Sequence, residues 1–226
     1  MMAADSVDVW LIPVRVPPAA VAALVPVLDP AERERADAIP SQRRAGFVVA
    51  HAAARIILGQ RLATPPDQLR WSLGPHGKPA LAGGSPAVQF NLSHSGDLAA
   101  FAVTTRRAVG VDVQEVRQVD ARRLADRFFL PAEARFVAAA PGPVAQAARF
   151  THLWARKEAC VKSVGGRLMQ GMSLPVAADD GLVRDPALPG PLLVRDVLAP
   201  EGFQAAVALT GAEPFHITRR WWRPPR

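Results

Sequence analysis

The most unusual charges in this sequence lie in one helical segment, RFTHLWARKEACVK at 149–162. At 3.6 residues per turn, a helix over 144–164 has a buried stripe, made of Phe150, Leu153, Trp154, Val161 and Val164. Lys157 falls inside that stripe, Glu158 lies at its edge, and Lys162 lies one turn after Glu158. A buried charge is costly unless it is paired or binds a metal. The segment therefore indicates either a snorkelling lysine beside a weak surface ion pair or a functional site.

A second carboxylate interrupts the strand-like segment AVGVDVQEV at 108–116. The valines share one face of the strand, whereas Gly110, Asp112 and Gln114 share the other. Aspartate is depleted in strands, and the missing side chain of Gly110 favours the close approach of a ligand beside Asp112. The sequence thus predicts a site for a hard cation such as Mg²⁺, with Asp112, the oxygen of Gln114 and a carboxylate from elsewhere. The alternative is an exposed strand face with a polar stripe.

Two turn segments could contact a phosphate. GPHGKPAL at 74–81 presents His76 and Lys78 between glycines and prolines, and FNLSHSGDLAAFAV at 90–103 places His94 at the end of a strand. Cationic and imidazole side chains in such turns suit an anion. Both could equally be ordinary turn residues.

The elements that must position these residues follow from periodicity and turn signals. The first half predicts a strand over 7–14, then helices over 19–28, 30–39 and 42–62, then strands at 69–73, 87–93, 98–104 and 108–114. The second half predicts helices over 120–129, 131–140 and 144–164, then strands at 171–176, 192–197, 203–209 and 215–221, with a loop at 179–191 and a ragged tail at 219–226. Because each half runs from helices to strands, the sequence predicts an α+β fold of two similar units packed side by side, residues 1–114 and 115–226.

The bulk composition narrows the class of partner and the compartment. The chain has 226 residues and a net charge of +7, with 27 Lys and Arg against 20 Asp and Glu, which favours an anionic partner. Cys160 is the single cysteine, so disulfides and cysteine metal clusters are excluded. No apolar run reaches the length of a membrane span and the N-terminus does not resemble a secretory signal, so the expected compartment is the cytoplasm. A nucleic-acid binder is a rival class because of the charge and the tail TRRWWRPPR, but no recognised binding motif supports it.

Four motifs in order, GPHGKPAL, FNLSHSG, VGVDVQ and WARKEACVK, resemble those of the Sfp-type 4′-phosphopantetheinyl transferases. The last motif resembles the family pattern W-x-x-K-E-A-x-x-K, and the matching region spans 74–168. The resemblance implies a pseudo-dimer of two similar α/β subdomains in one chain, with the active site between them and no need for a partner subunit, so a monomer is expected. It also implies the reaction: coenzyme A gives 4′-phosphopantetheine to a serine of an apo acyl or peptidyl carrier protein, 3′,5′-ADP leaves, and Mg²⁺ is required.

The resemblance also implies roles for the charged residues. Asp112 and Glu158 would hold Mg²⁺ against the pyrophosphate, and Glu158 would also take the serine proton. Lys162 would contact a phosphate and stabilise the leaving side, whereas Lys157 would pair with a nearby carboxylate. Gln114 stands where many relatives have glutamate, so Gln114 or a water would fill the third metal position.

Further positions match the family less directly. Lys78 and His94, with help from Ser93, match positions that bind coenzyme A phosphates. Glu133 matches an acidic position that contacts a metal-bound water or helps the base, with a purely structural acid as the alternative. The arginine that contacts the 3′-phosphate in relatives aligns best with Gly46. Its role would pass to Arg43 or Arg44, with His51 or Arg55 further along the helix.

The carrier protein remains open among fatty-acid, polyketide and nonribosomal-peptide types, although the W-K-E-A version favours secondary metabolism. A relative that binds coenzyme A without catalysis is the alternative within the family. The presence of Asp112, Glu158 and Lys162 counts against it.

Overall fold

The computed structural model describes residues 5–74, 76–83 and 88–225. Seven helices are described there: α1 (Pro18–Leu24), α2 (Pro30–Ala38), α3 (Ser41–Leu62), α4 (Ala121–Phe128), α5 (Pro131–Ala138), α6 (Gly142–Val164) and α7 (Leu168–Gly171). The strands are β1 (Asp5–Pro13), β2 (Trp71–Leu73), β3 (Pro79–Leu81), β4 (Gln89–Ser95), β5 (Leu98–Thr104), β6 (Val109–Glu115), β7 (Leu182–Val183), β8 (Leu192–Val197), β9 (Phe203–Thr210) and β10 (Phe215–Trp221). The predicted α+β class is confirmed.

The predicted helix starts and stops are visible in the backbone. Helix α2 begins after Asp29, whose side chain accepts from the backbone N–H of Glu32 at 2.8 Å while the Glu32 carboxylate accepts from the N–H of Asp29 at 3.2 Å. This reciprocal capping satisfies backbone donors that the first helical turn leaves free. Helix α6 ends at Gly165, whose φ of +66° is a left-handed conformation that favours glycine.

The strands form two four-stranded sheets and one hairpin. The first sheet has the order β10-β1-β5-β4, the second has the order β6-β9-β8-β7, and β2 pairs with β3. Strand β10 lies parallel to β1, from Asp5 opposite Phe215 to Leu11 opposite Trp221, so the end of the chain returns to the first sheet. The division into residues 1–114 and 115–226 stays a prediction.

The prediction of a ragged tail at 219–226 is wrong for the first four of these residues. Residues 219–221 belong to β10, and Trp222 is buried, with its backbone N–H donating to the Leu11 carbonyl at 2.9 Å. The tail is held because β1 offers unpaired backbone groups along its edge. Residue 226 lies outside the described residues, as do Pro75 of the predicted turn at 74–81 and residue 87 of the predicted strand at 87–93.

The strand predicted at 171–176 is not formed: Gly171 ends α7, residues 172 and 173 form a turn, and residues 174–176 pair with none of the described strands. The backbone carbonyls of Met172 and Leu174 bind the buried side chain of Lys157 instead of a neighbouring strand. Within the described residues, the helices include none with the length and apolar character that crossing a membrane requires.

Strand β5 is buried along its whole length, because both of its faces are covered by other elements. Helix α3 covers one face of the first sheet and packs on Ala99, Phe101 and Val103. The other face of β5 meets the second sheet through Leu98, Ala100 and Ala102. Helix α6 covers the far side of the second sheet. The two sheets therefore share a central apolar layer, and the site lies at one side of it.

Gly110 brings α6 close to β6. A Cβ atom at this position would lie 2.1 Å from the Ala159 carbonyl oxygen and 2.3 Å from the Ser163 nitrogen. The expectation that Gly110 opens space for a ligand is therefore wrong, because the helix backbone fills that space. The close approach instead places Asp112, two residues along β6, directly beside α6.

Candidate active site

Asp112 is the centre of a buried polar cluster between β6, α6 and β4. Its side chain is fully buried, and Oδ1 accepts from Lys162 Nζ at 2.5 Å and from Ser93 Oγ at 2.6 Å. Its second oxygen, Oδ2, accepts from Gln114 Nε2 at 3.0 Å. Burial of a carboxylate requires such partners. The structure thus brings four of the predicted site residues together.

Glu158 lies one helical turn before Lys162 and joins the cluster from α6. Its side chain is 14% exposed, and Oε2 lies 3.9 Å from Lys162 Nζ. Burial raises the pKa of Glu158, and the negative charge of Asp112 raises it further, whereas Lys162 acts in the opposite direction. The cluster therefore holds two desolvated carboxylates for one lysine, an excess of negative charge that a cation would balance.

The donor atoms of this cluster fit Mg²⁺. The carboxylates of Asp112 and Glu158 would supply oxygen ligands, and the Gln114 amide, whose nitrogen donates to Asp112, would supply its oxygen as a third, since that oxygen makes no hydrogen bond within the described residues. In the described part of the chain, no three His, Cys, Asp or Glu side chains gather as a metal-binding group. Two carboxylates, one amide oxygen and water are the set from which a hard cation would be held.

Lys157 has the internal carboxylate partner that the family resemblance implies. Its Nζ lies 2.6 Å from Glu133 Oε2 and donates to the Met172 carbonyl at 2.9 Å and the Leu174 carbonyl at 2.6 Å. Burial lowers the pKa of Lys157, and the Glu133 carboxylate opposes that shift. The lysine is fully buried, so it ties α6 to the segment after α7 and does not face substrate.

The contacts of Glu133 are with this lysine and with backbone. Its Oε1 accepts from the Val176 N–H at 2.9 Å, and Oε2 also lies 3.4 Å from the Leu130 N–H. Among the described residues it makes no hydrogen bond or ion pair with Asp112, Glu158 or Gln114. A role beside the metal stays a prediction for Glu133, and its observed contacts are structural.

Lys78 lies at the junction of the two sheets. Its Nζ donates to the Val109 carbonyl at 2.9 Å and to the Ser163 carbonyl at 2.8 Å, and so joins the β2–β3 hairpin to β6 and the end of α6. Burial lowers the pKa of its ammonium group to about 8. Binding of a coenzyme A phosphate by Lys78 stays a prediction, and it would require the ammonium group to exchange these carbonyl partners.

Ser93 and His94 point to opposite sides of β4. Ser93 is buried, and its Oγ accepts from Lys162 Nζ at 3.0 Å while donating to Asp112. His94 is exposed, and its pKa is lowered by partial desolvation and by electrostatic interaction with His51, Lys162 and Arg43, against an opposing effect of the Asp112 carboxylate. Basic side chains thus outnumber the one acid that acts on His94, an arrangement that suits an anion.

The four candidates for the 3′-phosphate contact differ in what holds them. Arg55 is fully buried between the carboxylates of Glu32 and Asp29, so it is a core residue. Arg44 forms an exposed ion pair with Asp37 at 2.6 Å. Arg43 is exposed and has no ion pair within the described residues.

His51 is held in a fixed orientation. Its Nδ1 lies 3.0 Å from Glu32 Oε1, its ring stacks on Phe47 at 3.9 Å between centroids, and Trp71 Nε1 donates to the same Glu32 oxygen at 3.0 Å. Only its Nε2 edge is therefore left for a ligand. His51 and Arg43 are the two candidates that the contacts leave open.

An open cleft of about 370 Å³ lies beside the cluster. Its walls are mainly apolar and come from residues 114–158, with Glu158 and Gln114 among them; the other lining residues are Glu115, Arg117, Val119, Leu124, Phe128, Phe150, Thr151 and Trp154. The sequence does not reveal this cleft, because its walls come from three separate elements, β6, α4 and α6. The cluster can thus be reached from solvent on the Glu158 side.

Two further polar residues of β4 were also missed. Asn91 Oδ1 accepts from the Val111 N–H at 2.9 Å, and Ser95 Oγ accepts from the Glu115 N–H at 3.1 Å. The available signal was the alternation in NLSHS, where positions 91, 93 and 95 put polar groups on one face of a strand.

The two-sheet fold and the carboxylate–lysine cluster define an α+β enzyme with a charged site beside the junction of its sheets. The family model described as the 4′-phosphopantetheinyl transferase superfamily matches residues 108–186, which include β6 and α6. Over 178 residues the chain is 33% identical to the 4′-phosphopantetheinyl transferase HetI of Nostoc sp., covering 76% of this chain and 74% of that protein.

Other relatives agree with this assignment. The chain is 34% identical to the 4′-phosphopantetheinyl transferase psf-1 of Bacillus pumilus, over 68% of this chain and 66% of that protein. It is 38% identical to the 4′-phosphopantetheinyl transferase AcpT of Salmonella typhi, over 58% of this chain and 65% of that protein. The chain therefore belongs to the 4′-phosphopantetheinyl transferase superfamily and is an enzyme of that class.

Proposed function

We propose that this enzyme transfers 4′-phosphopantetheine from coenzyme A to a serine hydroxyl of an acyl or peptidyl carrier protein, with release of 3′,5′-ADP and dependence on Mg²⁺. The observation that carries the proposal is the meeting of Asp112, Glu158 and Lys162 in one desolvated cluster. Two carboxylates for one lysine leave an excess of negative charge that would attract a divalent cation. That cation would in turn attract the pyrophosphate.

The reaction needs charge neutralisation at a phosphorus centre and removal of a serine proton. Mg²⁺, when bound by Asp112, Glu158 and the Gln114 oxygen or a water, supplies the neutralisation of the pyrophosphate. Glu158 takes the serine proton at its carboxylate, and its raised pKa makes it a better base than an exposed glutamate. Lys162 stabilises the negative charge on the leaving side.

The basic residues around β4 support the binding of coenzyme A, which donates the phosphopantetheine group. Arg43 and His51 both act electrostatically on His94, and we propose that these three residues hold the phosphates of coenzyme A together with Lys78. Ser93 assists through Lys162 and Asp112, because its Oγ is already bonded to both. Arg43 is preferred over Arg44 for the 3′-phosphate, because Arg44 is paired with Asp37.

The acceptor side is supported by the cleft beside Glu158. Its apolar wall includes Leu124, Phe128 and Trp154, which suits the apolar part of a protein surface around the serine. Carrier proteins are acidic, and the net charge of +7 of this chain favours their approach. The serine would reach Glu158 from this cleft.

Finer properties follow from the proposal and from the sequence. We expect a monomer, because one chain supplies both sheets that border the site. We expect the enzyme to act in the cytoplasm, and the W-K-E-A motif favours carriers of polyketide or nonribosomal-peptide synthesis.

Intact-mass spectrometry of an apo carrier protein mixed with the enzyme, coenzyme A and Mg²⁺ tests the proposal. The expected result is a mass gain of one phosphopantetheine that EDTA and Glu158→Ala both abolish. Glu34→Ala serves as the control, because Glu34 is an exposed acid on α2 without an ion pair in the described chain. It should transfer like wild type.

Other outcomes separate the alternatives. A folded wild-type protein that binds coenzyme A but modifies no carrier of any type would be a binding relative without catalysis. A protein that binds neither coenzyme A nor a carrier, yet binds nucleic acid equally well with and without Glu158→Ala, would belong to the rival class.

A further inference from the structure

The two sheets meet at two edge strands that share no backbone ladder. Strand β4 is the last strand of the first sheet and β6 is the first strand of the second. An edge strand leaves alternate N–H and C=O groups without a partner. Because β6 pairs with β9 on one side only, its other side would present unpaired N–H groups inside the protein.

Side chains of β4 take the place of the missing strand. Asn91 Oδ1 accepts from the Val111 N–H at 2.9 Å, and Ser95 Oγ accepts from the Glu115 N–H at 3.1 Å. Between them, Ser93 Oγ lies 3.5 Å from the next outward N–H of β6. The acceptors and the donors both recur every second residue, and all three contacts agree in register, because each acceptor lies opposite the residue 20 positions later in the chain.

We propose that this side-chain ladder, formed by Asn91, Ser93 and Ser95, positions β6 for the reaction, and that Asn91 is a positioning residue for Asp112. The inference rests on the proposed function. Among the hydrogen bonds of the described residues, the Asn91 side chain binds the Val111 N–H and not Asp112, Glu158 or Gln114. It acts by fixing the N–H of Val111, the residue directly before Asp112.

Burial makes the ladder sensitive to loss. Asn91 and Ser93 are each 6% exposed, so water has little access to replace a lost acceptor. Ser93, the middle residue of the ladder, also belongs to the candidate active site, because its Oγ donates to Asp112 Oδ1 and accepts from Lys162 Nζ. A shift of β4 against β6 would therefore change the position of both the carboxylate and the lysine.

The test compares removal of an acceptor inside the ladder with removal of a buried hydrogen bond outside it. Asn91→Leu keeps the size and removes the acceptor. Thr104→Val is the matched control, because Thr104 is buried on β5 and its hydroxyl donates at 2.8 Å to the Ser6 carbonyl of β1 and not to a backbone group of β6. Ser95→Ala removes the hydroxyl at the end of the ladder, whereas Ser95→Thr retains it.

Two readouts are measured on the full-length protein. Amide hydrogen exchange over residues 108–116 reports the ladder without any reaction. Steady-state transfer reports positioning, as kcat separately from KM for coenzyme A. For Asn91→Leu we expect faster exchange at 108–116 and a kcat lower by about 10- to 100-fold, since small misplacements of reacting groups have effects of this size. KM for coenzyme A should change little.

The controls define what overturns the inference. Thr104→Val should lower stability without either effect, and Ser95→Thr should behave like wild type where Ser95→Ala does not. If Asn91→Leu exchanges at 108–116 like Thr104→Val, the ladder does not hold β6. If exchange rises but kcat does not fall, the ladder is structural and Asn91 positions nothing. A wild-type protein that transfers nothing would refute the proposed function, and exchange alone would then decide whether the ladder exists.

Discussion

The buried pair of Lys157 and Glu133 permits a quantitative prediction for Glu133→Gln. The amide keeps an oxygen that can accept from the Val176 N–H, so the change removes mainly the negative charge. Lys157 is fully buried, and removing one partner of a buried pair costs about 3–5 kcal/mol because the other charge is left uncompensated. For a chain of this length that loss lowers Tm by about 6–20 °C.

The loss should depend on pH with a definite sign. Burial already lowers the pKa of Lys157 below its usual 10.5, and the Glu133 carboxylate opposes that shift. Without the carboxylate the folded-state pKa falls further, so over the interval up to 10.5 the unfolded state binds more protons than the folded state. Stability of the variant therefore rises with pH in this window, and its difference from wild type narrows as pH increases.

Urea unfolding at a series of pH values from neutral to about 10 measures both effects, with thermal unfolding as a second probe. Glu34→Gln is the matched control, since a change at an exposed acid should stay within about 0.5 kcal/mol. A loss for Glu133→Gln below about 1 kcal/mol, or a difference from wild type that is independent of pH, would refute the assignment of a charged, buried pair.

Three further predictions concern other parts of the molecule. Arg43→Ala should raise KM for coenzyme A by about tenfold or more, the value of one charge-assisted hydrogen bond, whereas Arg44→Ala, which loses only an exposed ion pair, should change it little; equal effects in a kinetic assay would contradict this choice. Glu32 has a pKa lowered to about 2, because its hydrogen bonds to His51 and Arg55 outweigh the opposing effect of burial. The stabilisation that the Glu32 carboxylate contributes should be complete above about pH 4.5 and disappear as the pH falls towards 2. Glu32→Gln should therefore be less stable than wild type at pH 7 but approach wild-type stability in acid. A difference in the free energy of unfolding that does not change with pH would count against this cluster. Gly110→Ala should displace α6, because the added Cβ would lie 2.1 Å from helix backbone; a variant with wild-type Tm and transfer rate would show that the contact is not tight.

Local patterns predicted the elements well where side chains recur at the period of a helix or a strand. The stripe of the helix around residues 144–164 placed Lys157 on the buried side, as the structure has it. The alternation of β6 placed Asp112 opposite the valines, which pack against the first sheet while Asp112 binds Lys162 of α6. Periodicity could do this because it depends only on the geometry of the element itself. The same reasoning failed at 171–176, where the backbone carbonyls of two residues accept from the Lys157 side chain. The apolar pattern of 171–176 does not show that its backbone groups bind a side chain of another segment.

The sequence by itself placed Lys157 on the buried side of its helix and supplied two separate motifs, one with Asp112 and one with Glu158 and Lys162. Tertiary structure alone decided that Glu133 is the partner, that Lys162 reaches across to Asp112, and that Asn91 and Ser95 complete the edge of β6. It also decided that β10 returns to lie parallel to β1. The physical reason is that each of these contacts joins segments far apart in the chain. Local sequence specifies which groups must be satisfied on burial, whereas the packing of both sheets and α6 selects the groups that satisfy them.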